Sequence, residues 1–210
     1  LSLIICISLV QTTLSQESST VRTATGFVKH ESPPANAESV YKFYEETFGF
    51  VPNLAKVMAS SPALLRSYND TQNNLKAYGK LSQEEINVVQ MAIAVENKCE
   101  YCTAGHTMVG QAFFKTPMEV MQCVRNREPL KTAKLNELRN FSIRVYMSRG
   151  ELKPEDFNKF LQAGYTRDQA LDVVACVSAK VRSNYANSLA KTPLDKPLQP
   201  LAQGLKFAGN

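Results

Sequence analysis

The sequence predicts an all-α protein, and three observations carry that prediction. Apolar residues recur three or four positions apart in nine segments of the chain. Many of these segments begin at a Ser or Thr cap or at a first-turn Pro, and several end at Gly. No run alternates apolar and polar residues well enough to indicate a strand. At 210 residues the chain fits one domain of ordinary size.

The first half of the domain begins at residue 37, where apolar residues take up helical spacing. Ser61 and Pro62 provide the cap and first turn of a long helix that ends near Gly79. Ser82 and Glu85 have the form of a capping box, and the nearly continuous apolar run behind them indicates a helix buried on most sides. We therefore predict helices over residues 37–48, 54–59, 62–78 and 82–95. Aromatic residues within 41–50 are expected in the core or at a subunit interface.

The second half continues the same pattern to residue 189. Thr116 is the expected N-cap of a helix whose first-turn residue is Pro117, and Thr166 caps the last long helix. The predicted helices cover residues 101–114, 118–125, 129–147, 153–163 and 167–189. From Thr192 onward the chain contains Pro193, Pro197 and Pro200, so we expect an extended tail over the surface. The helical domain is predicted over 37–200, and 201–210 is the C-terminal tail.

The N-terminal region differs from the rest in composition. Residues 1–10 are uncharged and apolar but too few to span a bilayer, so residues 1–15 indicate a truncated secretory signal. A buried N-terminal segment is the alternative. Residues 16–36 are rich in Ser, Thr and Ala and are expected to form a flexible arm. We therefore expect a secreted protein or one in the lumen of the secretory pathway.

The charge pattern excludes one class of partner. Hydrophobic residues make up 44% of the chain and charged residues 20%, as in soluble globular proteins. The net charge of +5 comes from 24 basic and 19 acidic residues scattered along the chain. No dense basic run or aromatic and basic interleaving is present, so no nucleic-acid partner is expected. We also expect no membrane partner.

The stretch from Cys99 to His106 concentrates the reactive residue types. If it is helical, Cys99, Cys102 and His106 share one face. A thiol attacks as its thiolate, and His106, one turn from Cys102, can accept its proton. Cys99, three residues away, can then close a disulfide on the oxidised sulfur. This spacing favours a thiol redox centre in which Cys102 attacks and Cys99 resolves.

Three other interpretations of this stretch remain open. A structural disulfide is one, although a bridge across two residues removes little entropy from the unfolded chain. A zinc site is another, and it would need a fourth ligand such as Glu96 or Glu100. The third is an inert core histidine beside inert cysteines. Elsewhere, Cys123 and Cys176 are either bridged to each other or, as their apolar surroundings favour, buried free thiols.

The sequence resembles the AhpD-like superfamily, the alkylhydroperoxidase D-type and carboxymuconolactone decarboxylase-type proteins. The resemblance covers about residues 41–200 and is carried by residues 81–106, with NKCEYCTAGH at 97–106, and by AGYT at 163–166 and SNYAN at 183–187. It is greatest to the peroxidase-related branch with a single CxxC. The decarboxylase branch lacks this CxxC, so the resemblance does not favour lactone decarboxylation.

This resemblance implies a fold, an activity and site residues. The fold is an orthogonal helical bundle that assembles into homo-oligomers, trimers or hexamers. The activity is that of a thiol-dependent peroxidase or disulfide reductase, which takes a hydroperoxide or small disulfide and a thiol reductant and uses no cofactor or metal. Cys102 would be the peroxidatic thiol, Cys99 the resolving thiol and His106 part of a proton relay. Redox-active members complete that relay with an upstream Glu; here Asn87 holds the position and Glu85 is close by.

Overall fold

The computed structural model describes residues 21–205 and 207, and in them it is helical with no strand. Its helices are α1 (Glu38–Phe48), α2 (Asn53–Met58), α3 (Pro62–Tyr78), α4 (Gln83–Glu96), α5 (Glu100–Val109), α6 (Met118–Asn126), α7 (Ala133–Ser148), α8 (Pro154–Gln162), α9 (Arg167–Ala190) and α10 (Gln199–Ala202). A π-helical turn, Gly110–Phe114, extends α5, and a 3₁₀ turn, Lys196–Leu198, precedes α10. The predicted all-α class is confirmed.

Helix α4 is the centre of the bundle. The capping box between Ser82 and Glu85 starts it, and every residue from 86 to 95 is buried. One apolar cluster packs α4 against α6, α7, α8 and α9, and a second joins α1, α2, α3 and α5 to the C-terminal turns. Because α4 is buried on all sides, it delivers the CxxC stretch into the interior between the two clusters.

The segment after Thr192 differs from its prediction as an extended surface tail. Pro197 and Pro200 lie in the first turns of the 3₁₀ turn and α10, where a missing N–H costs nothing. Asp195, Leu198 and Ala202 are buried. The prediction was wrong because proline starts a short helix as readily as it interrupts one.

The predicted signal at residues 1–15 lies outside the described residues, as do 16–20, 206 and 208–210. The described part of the arm lies on the helices: Thr25 Oγ1 donates to the Leu189 carbonyl at 2.9 Å, and Tyr41 Oη donates to the His30 carbonyl at 2.7 Å. Across the part of the chain that is described, no helix combines the length and apolar character needed to cross a membrane.

Candidate thiol site

Cys99 lies at the junction of two helices. Helix α4 ends in a Schellman motif, in which Lys98 N donates to the Val95 carbonyl at 3.0 Å and Cys99 N donates to the Ala94 carbonyl at 2.9 Å. Lys98 takes the left-handed conformation, with φ of 52°. Cys99 is then the N-cap of α5, and its Sγ accepts a hydrogen bond from Cys102 N at 3.3 Å. Cys99 therefore precedes the helix, so the predicted single helical face holds only Cys102 and His106.

The junction is held from two other helices. Asn97, the C-cap of α4, accepts a hydrogen bond from Tyr146 Oη on α7 at 2.6 Å. Its Nδ2 donates to Asn184 Oδ1 on α9 at 3.0 Å. Asn97 and Asn184 both belong to the motifs that carry the family resemblance, and these bonds give them a positioning role.

Cys99 and Cys102 are joined as a disulfide. Both are buried, with 8% and 3% of their surface exposed. Asn187 on α9 places Nδ2 3.2 Å from Cys102 Sγ and 3.9 Å from Cys99 Sγ, and its Oδ1 is buried with no hydrogen-bond partner among the described residues. The N-terminal end of α5 adds partial positive charge at Cys102. A thiolate formed at Cys102 would thus meet hydrogen-bond donors on two sides.

His106 is a buried, neutral imidazole. Its Nδ1 lies 2.9 Å from Asn87 Oδ1, and Asn87 Nδ2 donates to Thr116 Oγ1 at 3.1 Å. In this arrangement Nδ1 carries the proton and donates it to Asn87, which leaves Nε2 as the basic nitrogen. Burial, and then the nearby Lys180, hold the pKa of His106 well below its usual value. Asn87 therefore sets the tautomer of His106 without adding charge.

Two sequence predictions near His106 and Asn87 were wrong. Thr116 does not cap α6, because Pro117 is the N-cap and Thr116 instead accepts the hydrogen bond from Asn87. Glu85 does not reach the site. Its carboxylate accepts from Ser82 N at 2.8 Å and lies 3.9 Å from Lys134 Nζ, at the far end of α4. The structure therefore brings together Cys99, Cys102, His106 and Asn87, and it leaves Glu85 out.

Tyr101 ties the first turn of α5 to α2 and to the segment before the 3₁₀ turn. Its Oη donates to Asp195 Oδ2 and accepts from Leu54 N at 3.1 Å, and Asp195 also accepts from Asn53 N at 3.1 Å. Burial, followed by the charge of Asp195, raises the pKa of Tyr101 well above its usual value, so the phenol stays protonated. Sequence reasoning missed Asp195 because it lies 94 residues from Tyr101 in the chain.

A cavity of about 210 Å³ opens beside Cys102. Of the two bonded cysteines, only Cys102 lines it, together with His106, Gly105 and Lys180. Four aromatic residues of the segment 41–50 line it: Phe43, Tyr44, Phe48 and Phe50. The predicted core packing is confirmed for Tyr44, which is buried in an apolar cluster against which Phe48 packs, and the same side chains also form the cavity wall. Phe113 from the π-helical turn closes the cluster, with its ring 5.4 Å from that of Phe48. The cavity is apolar, with a few polar groups near the sulfur.

Lys180 and Asn187 are site residues that sequence reasoning did not assign. Both continue the buried stripe of α9 that begins with Val173 and Cys176. Polar residues at the buried spacing of an apolar helix are the signal that would have found them.

Cys123 and Cys176 are free thiols, so the bridge between them is not formed. The predicted burial is confirmed for Cys176, whereas Cys123 is only partly buried. Burial raises the pKa of Cys176 to about 12. Across residues 21–205 and 207, no group of three or more His, Cys, Asp or Glu side chains could hold a metal ion.

The sequence and the fold were compared with known proteins. A model of the carboxymuconolactone decarboxylase family matches residues 62–140, which include the CxxC and His106. No curated protein matches the sequence. The fold is similar to that of a crystal structure described as an alkylhydroperoxidase AhpD core, a peroxidase-related protein from Ralstonia eutropha JMP134. That chain is 20% identical, with a TM-score of 0.70, over 82% of this chain and 92% of the other.

Two further solved structures share the fold. A peroxidase-related protein from Silicibacter sp. TM1040 is 18% identical with a TM-score of 0.71, over 86% of this chain and 96% of the other. The debrominase Bmp8 in complex with 2,3,4-tribromopyrrole is 16% identical with a TM-score of 0.65, over 82% and 92%. The matched family model, the shared helical fold and the Cys99–Cys102 pair lead to one conclusion. The chain has the fold of the AhpD-like proteins, and its residues 62–140 match the carboxymuconolactone decarboxylase family model.

Proposed function

We propose that this protein is a thiol oxidoreductase that reduces hydroperoxides through Cys102 and closes the Cys99–Cys102 disulfide. One observation carries the proposal. The pair lies at the N-terminal end of α5 with Cys102, and not Cys99, on the wall of an apolar cavity. Cys102 is the sulfur that a substrate can reach, and Cys99 is the sulfur behind it.

The chemistry begins with the reduced pair. The thiol proton of Cys102 passes to Nε2 of His106, one helical turn away, and the thiolate attacks the terminal oxygen of the hydroperoxide. An S–O bond forms and the O–O bond breaks, which gives a Cys102 sulfenic acid and an alkoxide. The alkoxide takes the proton from His106 and leaves as an alcohol.

The second and third steps return the site to its starting state. Cys99 attacks the sulfur of the Cys102 sulfenic acid, so that the disulfide forms and water leaves. An external thiol reductant then reduces the disulfide by thiol–disulfide exchange and becomes a disulfide itself. Asn187 supports both states, since Nδ2 can donate to a Cys102 thiolate and the unpartnered Oδ1 can accept from a reduced thiol.

Asn87 is expected to make this relay slower than one that ends in a carboxylate. A carboxylate at Nδ1 would stabilise the imidazolium that forms when His106 takes the proton, whereas the neutral amide of Asn87 does not. The buried site holds the pKa of His106 low, so the imidazolium is a high-energy intermediate. His106 is thus a weak base but a ready acid for the leaving alkoxide.

A fixed structural disulfide is the second candidate, and the burial of both sulfurs favours it. Equilibration against glutathione mixtures separates the two. A reduction potential below about −300 mV fits a structural bridge, and a higher potential fits a working couple.

The direct test is a single-turnover reaction. The protein is reduced, freed of reductant and mixed with an organic hydroperoxide. We expect one hydroperoxide consumed for each disulfide formed, measured by peroxide assay and by the thiol count. The Cys102→Ser variant should consume none, with Cys123→Ser as the matched control that reacts like the wild type. Consumption that survives Cys102→Ser would overturn the proposal.

The location and assembly of the protein are also proposals. The apolar run at residues 1–10 supports a secreted or lumenal protein. Leu171, Val174, Tyr185 and Leu189 form an exposed apolar stripe along α9, and this supports a homo-oligomer. Light scattering of the purified protein tests the assembly, and a tagged full-length chain tests the location.

A further inference from the structure

Among the described residues, no carboxylate pairs with the buried lysine Lys180. Only 2% of it is exposed, and it lines the cavity together with Cys102 and His106. In the described chain no acidic side chain lies within 4.0 Å of Lys180 Nζ, and no hydrogen bond forms there. A buried ammonium without a partner is expensive, so such a group is retained where a ligand supplies the negative charge.

The groups around Lys180 do not supply that charge. His106 faces it from α5 as a neutral imidazole, and Cys176, one turn earlier on α9, holds a protonated thiol because burial raises its pKa to about 12. Asp195 lies on the cavity wall, but Tyr101 and Asn53 N occupy its carboxylate. Lys76, the other lysine on the wall, is exposed at the rim. The cavity therefore has one internal site for an anion.

The rest of the wall defines the body of the ligand. Tyr44 and Phe48 stack 5.7 Å apart and Phe113 meets Phe48 edge to face, so the wall presents aromatic faces and edges. Aromatic side chains favour an aromatic ligand in such arrangements. A dry cavity of about 150 Å³ admits benzene. The volume of about 210 Å³ therefore admits a benzene ring with a short acidic side chain.

We propose that this cavity binds aromatic carboxylates, with the ring against the aromatic cluster of α1 and Phe113 and the carboxylate paired with Lys180. As the substrate class of the site, this rests on the proposed function: the hydroperoxide would be carried by an aromatic acid. Binding itself needs no redox step, so it is measured on the disulfide form. Loss of peroxidase activity and loss of the anion site are then separate results.

The test is calorimetric titration of the oxidised protein with benzoate, phenylacetate and 3-phenylpropanoate, each beside its uncharged amide. We expect at least one acid to bind about tenfold or more tightly than its amide, the effect of one charge-assisted hydrogen bond. Lys180→Met should remove that preference and leave the amide affinity unchanged. Lys76→Met, at the other lysine of the wall, should preserve it. Two results with the wild-type protein would overturn the proposal. One is equal affinity for every acid and its amide, and the other is no binding of any acid.

The pH dependence gives a second readout that needs no mutation. Burial lowers the pKa of Lys180 to about 7 in the empty cavity. The acid binds the ammonium form, so its affinity should hold below pH 7 and fall as the pH rises to 8.5. The amide affinity should not change, because His106 is neutral throughout that range. An acid affinity that is flat from pH 6 to 8.5 contradicts the pairing.

Discussion

Cys102 on α5 and Cys176 on α9 are both buried cysteines, and their surroundings differ in kind. Cys176 is fully buried within the apolar cluster around α4, and burial raises its pKa to about 12. Cys102 is 3% exposed but lies in the first turn of α5, within hydrogen-bond reach of Asn187 Nδ2 and on the wall of the cavity. Burial alone therefore makes a thiol inert. Hydrogen-bond donors, a helix N-terminus and access to a cavity are the features that favour a reactive thiol.

Helix α9 contributes to both environments. Cys176 lies on its buried face, and Lys180 and Asn187 follow at helical spacing on the same face. The apolar half of this face packs the core, and the polar half faces the cavity and the sulfurs. One helix thus supplies the buried thiol Cys176 and two of the groups that surround the Cys99–Cys102 pair.

Replacement of Cys99, the proposed resolving thiol, should change the oxidation product at Cys102, and this is the largest effect we expect. Cys99→Ser removes the disulfide but leaves Cys102 able to attack, so one hydroperoxide should leave a Cys102 sulfenic acid, seen by mass spectrometry as one added oxygen. Cys176→Ala is the matched control and should form the normal disulfide. Oxidation of Cys176 in the Cys99→Ser protein would contradict the claim that the buried Cys176 thiol is inert.

Removal of the donor from α9 should bring Cys102 closer to an ordinary thiol. Asn187→Ala takes away the Nδ2 group at 3.2 Å, so the pKa of Cys102 should rise and its reaction with peroxide should slow at pH 7. The measurement is the alkylation rate of the reduced protein against pH. An unchanged pKa would show that Asn187 does not affect the Cys102 thiol and that the N-terminal end of α5 alone sets its pKa.

A charge placed at Asn87 should act on His106. Asn87→Asp is nearly isosteric and sets a carboxylate at Nδ1, so the pKa of His106 should rise from its low value. The chain has two histidines, His30 and His106, which makes their NMR titration simple to assign. His30 is the internal control and should not move.

The same change has a stability consequence with a defined sign. His106 is neutral in the fold and has a pKa below that of the unfolded chain, so it reduces stability as the pH falls below about 6.5. Asn87→Asp should lessen that acid loss, and the difference between the melting temperatures of the two proteins against pH measures it. An identical pH dependence would contradict the buried, neutral His106.

A pair of glycine substitutions should have the smallest effect, on stability and on the position of Asn87. A Cβ at Gly110 would meet Asn87 Nδ2 and Met121 Sδ at 2.5 Å, so Gly110→Ala should cost about 1–3 kcal/mol of unfolding free energy and displace the His106 partner. Gly105→Ala meets nothing within 4 Å and should stabilise α5 by about 0.5–1 kcal/mol. Chemical denaturation compares the unfolding free energies of the two variants. Equal values would contradict the close packing of Gly110 against Asn87.

Much of this site follows from local sequence, and the remainder depends on tertiary packing. The capping box of α4, the CxxC and the spacing from Cys102 to His106 are short-range patterns, so the helices and the thiol pair could be predicted. Thr116 was misassigned because a cap is the usual use of Thr before Pro, whereas here the hydroxyl partners Asn87 across 29 residues. Asp195 and Asn187 reach the site over 94 and 85 residues, which local patterns do not record.

The most direct test of the account measures both thiols in one reduced sample. Alkylation of Cys102 and Cys176 is followed against pH, with each peptide quantified by mass spectrometry. We predict that Cys102 titrates well below 8.5, the value of an ordinary thiol, and that Cys176 resists alkylation up to the highest pH at which the fold survives. A Cys102 that titrates at or above 8.5 would contradict the claim that this environment activates a buried thiol.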